Sequence, residues 1–172
     1  MKVLVISDSH GITSELSTLI ADYRSQVDYI VHCGDSELTS HDTLWGLTDS
    51  VVKGNMDFDS GYKTEDILQT KDYRFFVTHG HLYDVNFERY KLADRAKEEH
   101  CAFALYGHTH VLKVEVINHV ICINPGSFNR SRGPIQERTF AVIDVSLTQA
   151  IIRYYRADRT CIDELTEIYR LT

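Results

Sequence analysis

The chain has 172 residues, 43% of them hydrophobic, which is enough to build a sizeable apolar core. With 18 basic and 25 acidic residues, the formal net charge is −7. This charge argues against a general duplex-binding or membrane-surface protein, because such proteins carry a basic face. Nine histidines are many for this length, and an acidic, histidine-rich chain is one way to build a metal site.

The rest of the composition is that of an ordinary folded protein. The four cysteines form no C-x-x-C pair, so neither a zinc ribbon nor a thioredoxin-type motif is present. The apolar run at the N-terminus is too short for a signal-peptide core, and no later run could span a bilayer. We therefore expect a reduced, cytoplasmic protein that forms a single domain over residues 1–172.

The first third of the chain alternates strands with a helix. Apolar runs predict buried strands at Lys2–Ser7, Tyr29–His32 and Ser50–Lys53. Between the first two, apolar residues from Leu16 onward recur at i, i+3, i+4 and i+7, which predicts an amphipathic helix over Thr13–Arg24. A strand–helix–strand order is typical of a parallel sheet with helices packed on it.

The remainder of the chain is richer in strands. The strands predicted there are Asp66–Gln69, Arg74–Thr78, Ala102–Tyr106, Leu112–Ile117, Val120–Ile123, Thr139–Val145 and Ala150–Tyr155. A helix is predicted over Phe87–Glu99 with Asn86 as its N-cap. The tail Cys161–Thr172 carries an apolar stripe that fits a helix without deciding its conformation. Together the elements predict two packed sheets with helices outside.

Five of the predicted strands end in residues that could bind a metal. The segments at these ends are Ser7-Asp8-Ser9-His10, His32-Cys33-Gly34-Asp35, Gly54-Asn55, His79-Gly80-His81 and Gly107-His108-Thr109-His110. Because ligands of an α/β sheet bind at the carboxyl ends of its strands, these segments should converge on one edge. Each segment alone has an ordinary explanation, such as a helix cap, a turn or a core histidine. Their joint occurrence is what indicates a site.

The side chains at these ends share a coordination chemistry. Imidazole, carboxylate and carboxamide groups together suit divalent first-row metals. The spacing in Asp8-x-His10 and His108-x-His110 brings both side chains of each pair to one place when the backbone turns after a strand. Seven candidates are too many for one ion, but they suit two ions about 3.5–4 Å apart that share a carboxylate. The seven are Asp8, His10, Asp35, Asn55, His79, His108 and His110.

The order of these motifs resembles that of the calcineurin-like metallophosphoesterases. The segments Asp8-Ser9-His10-Gly11, Thr78-His79-Gly80-His81 and Asn124-Pro125-Gly126-Ser127 are similar to the small prokaryotic phosphodiesterase branch (YfcE-like) of that family. The similarity extends over nearly the whole chain, from Met1 to Tyr155. It implies an α/β fold, namely a four-layer α-β-β-α sandwich of two mixed sheets flanked by helices.

The resemblance also implies a ligand set and an activity. The first ion would be held by Asp8, His10, Asp35 and His110. The second ion would be held by Asp35, Asn55, His79 and His108, so that Asp35 bridges the two ions. The family hydrolyses phosphoesters, with Mn²⁺ as a common activating ion and Zn²⁺, Ni²⁺, Fe or Co²⁺ as alternatives. We therefore expect a phosphodiesterase for small phosphodiesters, in which a hydroxide bridging two divalent ions attacks phosphorus.

One position departs from the family pattern. Many members read Gly-Asn-His-Asp or Gly-Asn-His-Glu, where the histidine serves the leaving group, whereas this chain reads Gly54-Asn55-Met56-Asp57. Met56 cannot donate a proton, which should favour substrates with good leaving groups. His81 is the candidate catalytic replacement, and the alternative is a histidine that faces outward or only supports a ligand.

Two further points stay open in the sequence. Arg130 and Arg132 follow the Asn124-Pro125-Gly126-Ser127 segment and either reach a substrate phosphate or belong to a structural turn. The alternative to an enzyme is a non-catalytic protein-interaction scaffold, the role of the retromer subunit with this fold. The acidic charge weakly disfavours long nucleic acid as a substrate. Because the family includes oligomers, a homo-oligomer is expected by resemblance.

Overall fold

A computed structural model describes residues 1–171, and Thr172, the last residue of the predicted tail, lies outside the described residues. The strands, in chain order, are β1 (Lys2–Ile6), β2 (Tyr29–His32), β3 (Ser50–Val51), β4 (Glu65–Gln69), β5 (Arg74–Thr78), β6 (Phe103–Leu105), β7 (Lys113–Ile117), β8 (Val120–Asn124), β9 (Thr139–Val145), β10 (Gln149–Arg156) and β11 (Glu167–Arg170). The α-helices are α1 (Thr13–Tyr23) and α2 (Tyr90–Glu98), and short 3₁₀ helices lie at Thr43–Leu47 and Asp163–Leu165.

The strands form two mixed sheets. The first has the order β11-β10-β9-β1-β2-β3 and the second the order β4-β5-β6-β8-β7. In the first sheet, β1 pairs in parallel with β2 and antiparallel with β9. In the second, β5 pairs in parallel with β6 and antiparallel with β4. The parallel strands place several carboxyl ends side by side, as the sequence predicted.

No helix in the described part of the chain is long and apolar enough to cross a membrane.

The side chains of β1 show how the four layers arise. Val3 and Val5 belong to the core between the two sheets, where they share a cluster with Phe75 of β5. Leu4 and Ile6 point the other way and pack against α1. A strand that is buried on both faces must be apolar at successive positions, which explains the continuous run at the N-terminus. The buried face of α2 covers the outer side of the second sheet, so the predicted α-β-β-α sandwich is confirmed.

The helix predicted over Phe87–Glu99 begins later, at Tyr90, and the prediction of Asn86 as its N-cap is wrong. The N–H of Tyr90 donates instead to the carboxylate of Glu88, which satisfies one free donor of the first turn. The Asn86 amide is used elsewhere, since its Nδ2 lies 3.0 Å from Nε2 of His108. A long-range contact therefore takes this side chain away from the helix end.

Most other boundaries differ from the prediction by at most one residue at either end, and two segments differ by more. The strand predicted over Ser50–Lys53 ends at Val51. In the tail Cys161–Thr172, whose conformation the sequence left undecided, the described residues 161–171 form one 3₁₀ turn and no α-helix. The segment that follows it is β11, which pairs antiparallel with β10 and forms the edge of the first sheet.

Candidate metal centre

The loops that follow β1, β2, β5 and β6 meet at one edge of the sandwich. The N–H of His10 donates to the carbonyl of Asp35 at 3.0 Å, which ties the loop after β1 to the loop after β2. The N–H of Gly107 donates to the carbonyl of His79 at 3.0 Å, which ties the loop after β6 to the loop after β5. His79 Nε2 lies 3.2 Å from Asp35 Oδ2, so the two pairs of loops touch across the sheets.

Most of the predicted ligands have a left-handed backbone conformation. The five with positive φ are Asp8 (54°), His10 (42°), Asp35 (53°), His108 (68°) and His110 (57°). For residues other than glycine such a conformation costs on the order of 1–3 kcal/mol, and it persists only where the surrounding structure fixes it. In the first loop it turns both side chains inward, so that His10 Nε2 lies 3.9 Å from Asp8 Oδ1.

Asp8, His10 and His110 form one group of potential ligand atoms. Nε2 of His110 lies 3.1 Å from Asp8 Oδ1 and 3.2 Å from Nε2 of His10. The other nitrogen of each ring is held by a neighbour. Nδ1 of His10 lies 2.8 Å from Glu37 Oε1, and Nδ1 of His110 donates to the carbonyl of Arg130 at 2.9 Å. Both Nε2 atoms are thereby left free for an ion, as metal-binding histidines require.

Asp8, Asp35 and His79 form a second group. Nε2 of His79 lies 3.2 Å from Asp35 Oδ2 and 3.8 Å from Asp8 Oδ1. Its Nδ1 donates to the carbonyl of Cys33 at 2.8 Å, which orients the ring. Asp35 Oδ2 also lies 3.8 Å from Nε2 of His10. Asp8 therefore belongs to both groups, and the Asp35 carboxylate faces both.

Two buried polar atoms at this centre have no hydrogen-bond partner among residues 1–171, namely Asp8 Oδ1 and His79 Nε2. An unsatisfied buried polar atom costs about 1–3 kcal/mol, and a bound ion would remove that cost. The surrounding donors are carboxylate oxygens and imidazole nitrogens, which divalent first-row metals prefer. The residues present therefore fit a divalent metal ion.

The histidines keep the two carboxyl groups ionised. Burial alone would raise the pKa of Asp35, but the charge of His79, whose Nε2 lies 3.2 Å from Asp35 Oδ2, outweighs it and lowers the pKa to about 2. Burial likewise opposes ionisation of Asp8, and His110 and His79 lower its pKa. Burial alone would lower the pKa of His79, but the contact with Asp35 outweighs burial and raises the pKa. Both carboxylates are therefore deprotonated at neutral pH, as a metal ligand must be.

His108 lies beside these groups. Its ring centroid is 5.2 Å from that of His79, and its backbone N–H donates to Asp8 Oδ2 at 3.1 Å. Its Nε2 lies 3.0 Å from the amide nitrogen of Asn86. The preceding Gly107 allows the close approach, because a Cβ there would lie 2.6 Å from Asp8 Oδ2. The structure thus brings the fourth predicted histidine to the edge of the centre.

Asn55 lies at the exposed rim of the centre. The residue before it, Gly54, packs so closely on Asp35 that a Cβ would lie 2.0 Å from Asp35 Oδ1. The residue after it, Met56, donates its N–H to the same oxygen at 2.7 Å. Asn55 is therefore held between two residues that touch a carboxylate of the second group.

His81 is close to the second group without belonging to it. Its ring centroid lies 5.4 Å from that of His79 and 6.2 Å from that of His108. Its Nδ1 is buried without a hydrogen-bond partner among residues 1–171. Burial and the neighbouring His79 lower the pKa of His81. No contact in the structure tests its predicted proton transfer, which stays a prediction.

Asp57 is a buried residue beside the centre that the sequence motifs did not single out. Its buried carboxylate accepts backbone hydrogen bonds from Asp35 and Gly54 at 2.8 Å each, and from Glu37 at 2.7 Å. It thereby joins the loop that carries Asp35 to the loop that carries Asn55. The available signal was an acidic residue two positions after the candidate ligand Asn55.

The Asn124-Pro125-Gly126-Ser127 segment is a structural turn behind the centre. The side chain of Asn124 donates to the carbonyl of Gly107 at 2.8 Å, and the hydroxyl of Ser127 donates to the carbonyl of Asp8 at 2.9 Å. Gly126 has a φ of 81°, which glycine adopts without strain. This turn therefore positions two ligand-bearing loops by their backbones.

Comparison with known proteins finds relatives over most of the chain. The calcineurin-like phosphoesterase superfamily domain matches residues 1–148. A probable metallophosphoesterase of Bacillus subtilis is 38% identical over 156 residues, which is 90% of each chain. A phosphodiesterase of Methanocaldococcus jannaschii is 27% identical over 144 residues, covering 73% of this chain and 83% of the relative. The crystal structure of a predicted phosphoesterase from Streptococcus pneumoniae is similar with a TM-score of 0.95 and 34% identity, over 99% of this chain and 97% of that one.

Proposed function

This chain belongs to the calcineurin-like phosphoesterase superfamily, and on that premise we propose that it is a metal-dependent phosphodiesterase acting on small phosphodiesters at a dinuclear centre. The family match covers residues 1–148 and thus includes every proposed ligand. The relative named a phosphodiesterase supports a diester rather than a monoester as the substrate.

The observation that carries the proposal is the pair of ligand groups that share Asp8 and converge on Asp35. Two groups with common carboxylates suit two ions about 3.5–4 Å apart. To the first ion we assign Asp8, His10, Asp35 and His110. To the second ion we assign Asp35, Asn55, His79 and His108. We place a non-catalytic interaction scaffold second, because the described residues retain oriented carboxylate and imidazole donors in both groups.

Charge at the centre suits an anionic substrate. The two carboxylates contribute −2 and two divalent ions would contribute +4, so the loaded centre carries +2 although the metal-free chain carries −7. Bound ions, with Mn²⁺ as the proposed metal, would supply water activation and neutralise charge on the phosphoryl oxygens. The chain's own part is to hold the rings of His10, His79 and His110 by Nδ1, keep Asp8 and Asp35 ionised and position the diester.

Protonation of the leaving group needs a separate donor, because Met56 has none. We place His81 in this role, since its ring lies beside those of His79 and His108. General acid help is worth about 10²–10⁴-fold for a poor leaving group. His81→Gln should therefore slow the hydrolysis of alkyl diesters more than that of nitrophenyl diesters. An equal effect on both would remove His81 from the reaction.

The experiment that tests the function compares bis(p-nitrophenyl) phosphate with p-nitrophenyl phosphate in the presence of Mn²⁺. We expect the diester to be preferred, its hydrolysis to stop on chelation and to return when Mn²⁺ is restored. Asp35→Asn should lose at least about 100-fold in kcat/KM, whereas the matched control Asp72→Asn, at an exposed turn, should not. Activity that survives chelation or Asp35→Asn contradicts the metal-dependent mechanism.

A further inference from the structure

A cleft next to the first ligand group remains outside the proposed chemistry. It measures about 620 Å³ and shares two of its walls with the metal centre, namely His10 and His110. Its other lining residues are Asn129, Arg130, Ser131, Arg132 and Gln136. Ligand-binding clefts commonly measure about 300–1,000 Å³, so this one has room for more than a single phosphoryl group.

The loop that forms this cleft is held by backbone hydrogen bonds to His110, one of the proposed metal ligands. The N–H of Arg132 donates to the carbonyl of His110 at 3.1 Å, and the ring of His110 donates to the carbonyl of Arg130 at 2.9 Å. The N–H of Arg130 donates to the hydroxyl of Ser127 at 2.9 Å. Both arginine side chains therefore start from fixed positions next to the centre.

The two arginines are exposed and have no partner within the protein. In the described residues 1–171, neither the Arg130 nor the Arg132 side chain makes an ion pair or a hydrogen bond. The nearby Arg138, by contrast, pairs with Glu15 at 2.9 Å. In a chain with 25 acidic and only 18 basic residues, two adjacent unpaired guanidinium groups are available for an external anion.

We propose that this cleft binds a second phosphoryl group of the substrate, so that the preferred substrate is a small phosphodiester that also carries a phosphomonoester. This inference rests on the proposed function, because it takes the ligand groups as the place where the scissile diester binds. Guanidinium groups bind phosphoryl oxygens through paired N–H donors, and two of them match a dianion. The shared wall of His10 and His110 places the second group beside the first.

Two substrates that differ only in the second phosphate provide the test. Thymidine 5′-(p-nitrophenyl phosphate) and its 3′-phosphorylated form have the same nucleoside and the same leaving group. We expect Mn²⁺-loaded protein to prefer the 3′-phosphorylated form by about 10-fold or more in kcat/KM, the size of one charged hydrogen bond. In the double variant Arg130→Gln/Arg132→Gln the preference should fall to about one. The control Arg170→Gln removes the same charge from β11, outside the cleft, and should keep the preference.

A binding measurement separates this inference from the proposed function. By calorimetry, thymidine 3′,5′-bisphosphate should bind about 10-fold more tightly than thymidine 5′-phosphate to the wild type, and the difference should vanish in the double variant. If neither nitrophenyl diester is hydrolysed, the proposed function fails while this binding comparison still decides the inference. A wild type that binds and hydrolyses both forms equally overturns the second-phosphate site. Equal losses for both substrates in the double variant overturn it too, because they place the arginines on the scissile phosphoryl group.

Discussion

The backbone N–H of Asp35 donates a 2.8 Å hydrogen bond to the carboxylate of Asp57, a residue 22 positions later in the chain. The same carboxylate binds the N–H groups of Gly54 and Glu37. Asp35 has a φ of 53°, which a non-glycine backbone avoids unless its surroundings hold it. Asp57 is thus the residue that holds the proposed bridging ligand in its strained conformation.

Asp57→Asn should therefore affect both folding and metal binding. The new amide nitrogen would face backbone N–H donors and leave some of them unsatisfied, which should lower the free energy of unfolding by about 2–4 kcal/mol. Loss of the support for Asp35 should weaken Mn²⁺ binding by about 10–100-fold. Urea unfolding in the presence of a chelator measures the first effect, and titration calorimetry measures the second.

Asp59→Asn is the matched control for this variant. Its carboxylate also accepts backbone hydrogen bonds, from Ser40 and Gly61 at 2.8 Å each, but it touches none of the proposed ligands. This control should keep the Mn²⁺ affinity of the wild type. If Asp57→Asn binds Mn²⁺ as tightly as Asp59→Asn does, Asp57 does not position the centre.

The sequence reveals the site because strands buried on both faces leave polar residues only where they end. The positions of Asp8, Asp35 and His79 at strand ends were therefore sufficient to predict that they meet. The orientation of the rings was not predictable, because His79 and His110 are held by the carbonyls of Cys33 and Arg130. Because every residue has a backbone carbonyl, the residue types in the sequence do not show which carbonyl a histidine ring will contact.

A local sequence pattern gives the wrong secondary structure where the same residues make a long-range contact instead. The position of Asn86 before an apolar stripe favours an N-cap, yet its amide is bound to His108, which is 22 positions away. In the tail, the spacing of apolar residues fits a helix, but the open edge of β10 offers a row of backbone partners. Pairing at that edge satisfies the backbone of the tail, and no signal within the tail itself encodes this.

Metal binding should stabilise the fold, because the centre contains buried atoms without partners. At a free Mn²⁺ concentration of about 100 times Kd, each site should add about 2.7 kcal/mol to the free energy of unfolding. Asp8→Asn should reduce this gain by half or more, since Asp8 is assigned to the first ion and its Oδ1 also lies 3.8 Å from Nε2 of His79 in the second group. The exposed His119, in the turn after β7, provides the control His119→Asn, which should keep the gain. Thermal unfolding with and without Mn²⁺ measures it, and an equal gain in Asp8→Asn would refute the assignment.

The stability of the metal-free protein should fall in mild acid because of His32. Its ring is fully buried, with Nε2 3.0 Å from the hydroxyl of Ser9 and Nδ1 accepting from the N–H of Gly34 at 3.2 Å. Burial lowers the pKa of His32 from 6.5 to about 4. As the pH falls from 6.5 towards 4, the unfolded chain binds this proton and the folded chain does not, so stability decreases.

His32→Gln should remove this part of the pH dependence. Between pH 6.5 and 4, its unfolding free energy should depend on pH less steeply than that of the wild type, by up to about 1.4 kcal/mol per pH unit. Urea midpoints measured with a chelator present at several pH values give this slope, independently of any loss of absolute stability. His119→Asn, at an exposed position, should show the wild-type slope. The same slope in His32→Gln and the wild type would exclude His32 as the cause.

Met56 should make the rate sensitive to the leaving group. Its N–H donates to Asp35 Oδ1 at 2.7 Å, so this residue lies at the centre, yet its side chain has no proton to give. In the His81→Gln background, where the proposed proton donor is absent, kcat/KM should therefore fall steeply across aryl diesters of increasing leaving-group pKa. In the same background, Met56→His should flatten this dependence and speed the poorest leaving groups by about 100-fold, the lower range of general acid help. Met56→Leu keeps an apolar side chain of similar size and should retain the steep dependence. A flat dependence in His81→Gln alone would show that a group other than His81 protonates the leaving oxygen.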